Sequence, residues 1–213
     1  MLQERFKYVD VVNEIAQLNW TGLTRSDLAA VSEAYYFFSV QFCETVELAL
    51  FRYPTDAKLI ELREGECNTA NLSPYPGIAE SDERMNHDEF MRRTNALNSL
   101  PIAEKQRIGR LGTAYLAVAR AIDPDIRINS LPAYEDGGLE TVFRAALTAP
   151  DWDDPSLQAF HHFLEGHVKL DSDPDHGHGS LCRHLVADDR ILPLWTAFRD
   201  LLTGAAPRLL EKT

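Results

Sequence analysis

The chain has 213 residues, of which 21 are Lys or Arg and 33 are Asp or Glu, giving a formal charge of −12. The length suits one domain, residues 1–213, with room for a sizeable core. A chain this acidic, with no basic stripe, is repelled by phosphate backbones, which excludes nucleic acid as a partner; no apolar run approaches the roughly 20 residues of a bilayer-spanning helix.

In chain order the sequence reads as helix after helix. Leu2, Phe6, Val9, Val12, Ile15 and Leu18 have helical spacing, and Asn19 to Gly22 breaks the stretch. Thr24 or Ser26 can cap a long helix that runs to Tyr53 and stops at Pro54. Its centre, from Ala34 to Cys43, is apolar on nearly every side, the mark of a buried central helix. A shorter helix follows from Asp56 to Cys67, then a loop through Pro74 and Pro76. The spacing predicts further helices over Ile78–Leu97, Ile102–Ile122 and Pro132–Leu147, the last with Gly137 and Gly138 inside it. Asp154-Pro155 is a start signal for a helix to Leu170, and Ser180 to Leu202 reads as a final helix bent at Pro193. No strand alternation of useful length is present, so the expected fold is all-α, seven to eight helices in a single domain.

The first residues, Met1 to Phe6, hold no basic stretch followed by an apolar one. Cys43, Cys67 and Cys182 form neither a disulfide framework nor a CxxC motif. Both observations predict a cytoplasmic protein.

The histidines carry the functional signal. There are seven, none precedes His87, and six lie between His161 and His184. On the predicted helix from Ile78, Glu80 and His87 fall within about 20° of each other around the axis, so they share a face. On the later helix His167 and Asp171 are one turn apart, a chelating spacing, on the side of Leu157, Phe160 and Leu164. His176 follows beyond Pro174, with His178 as its alternative and Asp173 as the alternative to Asp171. Glu135, after Tyr134 and before the two glycines, supplies a further carboxylate. His161, His162 and His184 read as helix-face residues.

Glu80, His87, Glu135, His167, Asp171 and His176 make three carboxylates and three imidazoles. Helix bundles build dinuclear iron and manganese sites from inward Glu and His of this kind. Oxygen and nitrogen ligands without thiolate suit iron or manganese better than a zinc site rich in cysteine. Three carboxylates against two divalent ions leave about one residual positive charge.

Two motifs, E-x6-H from Glu80 to His87 and H-x3-D from His167 to Asp171 followed by His176-Gly177, stand in this order with Tyr134-Glu135 between them. In this combination the chain resembles the heme-oxygenase-like diiron oxidases and oxygenases from about Ala34 to Leu202. It departs from their last spacing: Asp171 to His176 is D-x4-H, where D-x2-H or D-x3-H is usual. The resemblance implies a seven-helix heme-oxygenase-like bundle and a non-heme site for two Fe(II), with Fe/Mn as a variant and O2 as co-substrate. It further implies oxidation of a small molecule, an amino-acid-derived or fatty-acid substrate, by N-oxygenation or oxidative C–C cleavage in a biosynthetic pathway. The partner is then that small molecule, with no nucleic acid and no membrane, and a homodimer stays open.

A true heme oxygenase needs an axial His on its first helix, which this chain lacks. The alternatives are a metal-independent thiaminase-II-like hydrolase using Cys43 or Cys182, a cofactor-free enzyme of the same fold, and a metal-binding protein without turnover.

Overall fold

The computed structural model describes residues 7–171 and 177–212, and the side chains of Leu170 and Asp171 are outside that description. Every named element among the described residues is helical, and the β pairing there is confined to two isolated bridges, Thr69 with Met85 and Tyr75 with Ala79. No helix among the described residues is long and apolar enough to cross a membrane.

The first helix, α1 (Tyr8–Ala16), buries Val11, Val12 and Ile15 on one face. A short 3-10 turn at Trp20–Gly22 follows, and the Trp20 indole N–H donates to the Ile15 carbonyl at 2.8 Å. Helix α2 (Arg25–Arg52) starts with a reciprocal cap in which the Thr24 side chain accepts from the Asp27 N–H and the Asp27 carboxylate accepts from the Thr24 N–H. Asp56 caps α3 (Ala57–Glu66) by accepting from Lys58 and Leu59. Then come α4 (His87–Leu97) and α5 (Ile102–Ala121).

Three short or medium helices follow: α6 (Pro124–Ile128), α7 (Leu131–Glu135) and α8 (Gly138–Ala146). Helix α9 (Gln158–Asp171), α10 (His178–Cys182) and α11 (Leu192–Ala205) complete the set, with 3-10 turns at Asp189–Ile191 and Pro207–Leu210.

Helix α2 is the hub. It packs on α3, α4, α5, α6 and α11, which is why its sequence is apolar on so many sides. Its Tyr35 and Phe38 meet Phe143 of α8, Phe160 and Phe163 of α9, Phe198 of α11 and Tyr134 of α7, with ring centroids 4.6 to 6.3 Å apart. Such pairs each add about 0.5–1.5 kcal/mol beyond the area they bury. Buried Arg127 ties α6 to α2 through Thr45 Oγ1 at 2.9 Å, the Gln41 carbonyl at 3.0 Å and the Glu44 carboxylate at 2.8 Å.

Three expected helices have different bounds. Residues 78–86 are loop rather than helix, and the helix expected over Ile78–Leu97 begins only at His87. The loop has its own local bonding: the Glu83 carboxylate accepts from the Glu80 N–H at 2.9 Å, and Asp82 is left-handed at φ +59°. Side-chain turns of this kind compete with helical hydrogen bonds. The helix expected from Pro132 to Leu147 is two helices, because Gly137 adopts φ +95° and ends the first. The bent helix expected over Ser180–Leu202 is also two, since Pro193 sits at the start of α11, where its missing N–H costs nothing.

Candidate metal centre

Five buried side chains converge beneath α2: Glu66, His87, Glu135, His167 and His178. Four of them stand at helix ends. Glu66 is the last residue of α3, Glu135 the last of α7, His87 the first of α4 and His178 the first of α10. Only His167 lies inside a helix. At Glu66 the partial negative charge of the α3 C-terminus adds to that of the carboxylate.

Glu66 is central. Its Oε2 lies 2.6 Å from His87 Nδ1, and its Oε1 lies 2.8 Å from His178 Nδ1 and 4.0 Å from His167 Nε2. His178 Nδ1 is also 3.3 Å from Glu135 Oε2. His87 Nδ1 and His167 Nε2 are 3.3 Å apart.

The outward ring nitrogens orient two imidazoles. His167 Nδ1 is 2.8 Å from the Phe163 carbonyl, which can only accept, so this nitrogen carries the proton. His87 Nε2 is 3.1 Å from Asn71 Oδ1, and the Asn71 amide donates to the Gly65 carbonyl at 2.8 Å, which orients its oxygen toward the ring. His167 Nε2 is therefore a lone pair turned toward His87 and Glu66, while His87 Nδ1, 2.6 Å from Glu66 Oε2, is placed to donate to that carboxylate and, with its proton displaced, to ligate a metal. Outward hydrogen bonds fix ligating histidines in the same way in metal sites.

Two overlapping groups result, Glu66–His87–His167 and Glu66–Glu135–His178, and each could hold a metal ion. Within each, the donor atoms lie within 4.8 Å of one another. Metal bonds of about 2.0–2.2 Å to nitrogen and oxygen need donors spaced on this scale. Glu66 Oε1 and Glu135 Oε2 are both buried, and both face the same nitrogen, His178 Nδ1, at 2.8 and 3.3 Å. Two buried carboxylates converging on one imidazole nitrogen are costly unless a cation, a proton on that ring or a metal, balances them.

The electrostatics agree. Burial pushes the Glu66 carboxyl up, but His87 and His178 together outweigh it and hold the group well below the ordinary carboxylate range. Burial raises Glu135, reinforced by the charge of Glu66 and opposed by His178. Burial lowers His178, yet Glu66 and Glu135 reverse that and raise it well above the usual histidine value. His167 goes the other way, to about 4, because burial and neighbouring His87 disfavour its proton. A proton on His178 thus stands where a metal cation would otherwise balance the carboxylates.

Aromatic carbon encloses the cluster. Phe163 stacks on His167 with ring centroids 4.1 Å apart, and Phe143 meets it edge-on at 5.8 Å. The protein makes room for His178 by having no side chain at Gly65, where a Cβ would sit 2.9 Å from His178 Nε2.

Of the residues expected from sequence, the structure brings together His87, Glu135 and His167. Glu80 is outside the cluster: it is exposed in the loop before α4, so the helical face it was to share with His87 does not exist. Asp171 closes α9 one turn beyond His167, but its side chain is outside the described residues, as is His176 altogether. His178, the alternative to His176, is in the cluster. Glu66 has no counterpart in the sequence reading. Its signal was the buried stripe Leu59, Leu62, Glu66 of α3, in which a carboxylate takes a position that the spacing marks as core. His161 and His162 are half-buried beside Trp152 and Tyr75, and His184 pairs with Asp56 at 2.8 Å.

No family model matches the chain, and no curated protein or solved structure is significantly similar to it.

Proposed function

We propose that the chain is a non-heme, two-metal oxidoreductase that uses O2 to oxidise a small organic molecule, with two Fe(II) as its metals and Fe/Mn as the variant. One observation carries the reading. A single buried carboxylate, Glu66, serves two separate ligand groups, one oxygen beside His87 and the other beside His178. A shared carboxylate is how helical proteins hold two metals side by side. The donor set is oxygen and nitrogen, which suits iron and manganese. The resemblance noted in the sequence, through His87, Glu135, His167 and Asp171, supports the same class, and Asp171 stays in the proposed ligand set.

Bound iron supplies the redox chemistry with O2. The chain's own residues do the rest. Glu66 and Glu135 would neutralise the ions, and His87 and His167, oriented by Asn71 and the Phe163 carbonyl, would present ring nitrogens to them inside a largely aromatic surround. A cleft of about 310 Å³ reaches His167 past Asn71, Leu72 and Gly166, and Lys169 is part of its wall.

Anaerobic loading with Fe(II), metal analysis, and O2 uptake against a panel of amino acids and fatty acids test the proposal. Two irons per chain and substrate-dependent O2 consumption are expected. A metal-free protein that turns over substrate, or a chain that binds no iron, overturns it.

A further inference from the structure

One helical hydroxyl behaves unlike its neighbours. Thr45, Thr94, Thr113 and Thr203 each donate to the carbonyl four residues back, at 2.9, 2.9, 2.8 and 3.0 Å. Ser39, in the middle of α2, has the equivalent carbonyl of Tyr35 behind it, a common partner for a helical serine. It does not use it: Ser39 Oγ is buried and has no hydrogen-bond partner among the described residues. Alanine would suit the helix better and leave no polar atom unsatisfied.

Ser39 lines a cavity whose wall includes Glu66, His87, Glu135 and His167. Among the described residues Phe42, Leu139 and other apolar side chains form much of the remainder, and Ser39 and Tyr35 are the ones with hydroxyls. The free space is about 10 Å³, room for one very small molecule and far too little for an organic substrate.

We propose that this cavity is a subsite for a metal-bound ligand of two or three atoms, held by a hydrogen bond donated from Ser39 Oγ. The proposal rests on the two-metal reading above and deepens it. The guest must accept a hydrogen bond, bind a metal and tolerate an aromatic wall; dioxygen belongs to this class, and azide is its stable mimic. The centre then has two approaches. The small ligand occupies the pocket under α2, and the organic substrate comes by the cleft beside His167. Ser39 acts as a positioning residue, selecting the ligand by size and by one hydrogen bond.

The test is an azide titration of the cobalt(II)-loaded protein, followed by the visible absorption of the metal, which reports its ligands without any turnover. The wild type binds azide. Ser39→Ala removes the donor and is expected to weaken azide about fivefold, the usual worth of one hydrogen bond. Ser39→Val fills the cavity and is expected to abolish the azide response. Both variants keep the cobalt content and helical circular dichroism of the wild type. Unchanged azide affinity in both variants overturns the proposal, as does a Ser39→Ala protein that loses cobalt while its remaining sites bind azide normally. A wild type that takes up cobalt but shows no azide response overturns this subsite alone. A wild type that takes up no cobalt overturns the two-metal reading together with it.

Discussion

Gly65→Ala separates metal binding from folding. Gly65 lies in the last turn of α3, one residue before Glu66, and a Cβ added there would stand 2.9 Å from His178 Nε2. Ordinary carbon contacts are about 3.5–4.0 Å, so the imidazole must retreat by about 0.5–1 Å. Metal ligands are placed to within about 0.2 Å, and disturbances just outside the ligand shell weaken affinity about 10–100-fold. The group containing His178 and Glu135 takes that loss, while Glu66, His87 and His167 are untouched. At free metal 100 times its dissociation constant, each occupied site stabilises the fold by about 2.7 kcal/mol. A 100-fold weaker site contributes only about 0.4 kcal/mol under the same conditions. The metal-induced gain therefore falls from about 5.4 to about 3.1 kcal/mol. In the metal-free protein the change acts the other way, because Ala in a helix gains about 0.5–1 kcal/mol over Gly, offset by the displaced ring. Thermal scans with and without Mn(II), beside a metal titration, read both effects. Two sites of wild-type affinity and an undiminished thermal shift in the variant would remove His178 from the ligand set. A metal-free variant destabilised by several kcal/mol would show that His178 matters for packing instead.

Glu66→Gln is expected to abolish both metals, because each group loses its shared carboxylate, whereas His167→Ala is expected to leave one metal per chain and no turnover, both read by metal analysis and O2 uptake. Glu80→Ala, in the exposed loop, should change stability by no more than about 0.5 kcal/mol and leave metal content alone; a lost metal would place the loop at the centre after all. The His167 value of about 4 lies below its ordinary 6.5, so the neutral ring contributes stability that is complete above pH 6.5 and is lost as pH falls toward 4, on the order of 3 kcal/mol. Denaturant titrations of metal-free protein between pH 7 and 4 should show a smaller fall in His167→Gln than in wild type; equal falls would refute the assignment. His178 runs oppositely, since its raised value makes its contribution present below pH 6.5 and lost as pH rises through the folded value. Metal loading near neutrality must therefore displace about one proton from it, measurable as a dependence of binding heat on buffer ionisation.

Long, strongly patterned helices were legible in the sequence. Thr24, Asp56 and the break at Pro54 place α2 and α3 to within a residue or two, because caps and prolines act locally. What was illegible depended on packing. Residues 78–86 have few apolar side chains, and nothing in their spacing reveals that Thr69 pairs with Met85 and holds the segment as a loop. Gly137 could be tolerated inside a helix or could end one, and only its left-handed backbone decides. At the centre, His87 and His167 stood out because histidine is scarce elsewhere in the chain. Glu66 did not, since one of 33 acidic residues is conspicuous only when its neighbours Leu59 and Leu62 are known to face inward.

The placement of four ligand-bearing residues at helix ends has a consequence for how such a centre tolerates change. A ligand in mid-helix turns by about 100° when one residue is inserted upstream within that helix, and it leaves the site at once. His87 and His178 open their helices, and Glu66 and Glu135 close theirs, so the neighbouring connections can lengthen or shorten without rotating any of the four. The loop before α4 can drift in length and sequence while the centre keeps its shape. His167 differs in lying within α9, so a single residue inserted upstream in that helix would turn it out of the site.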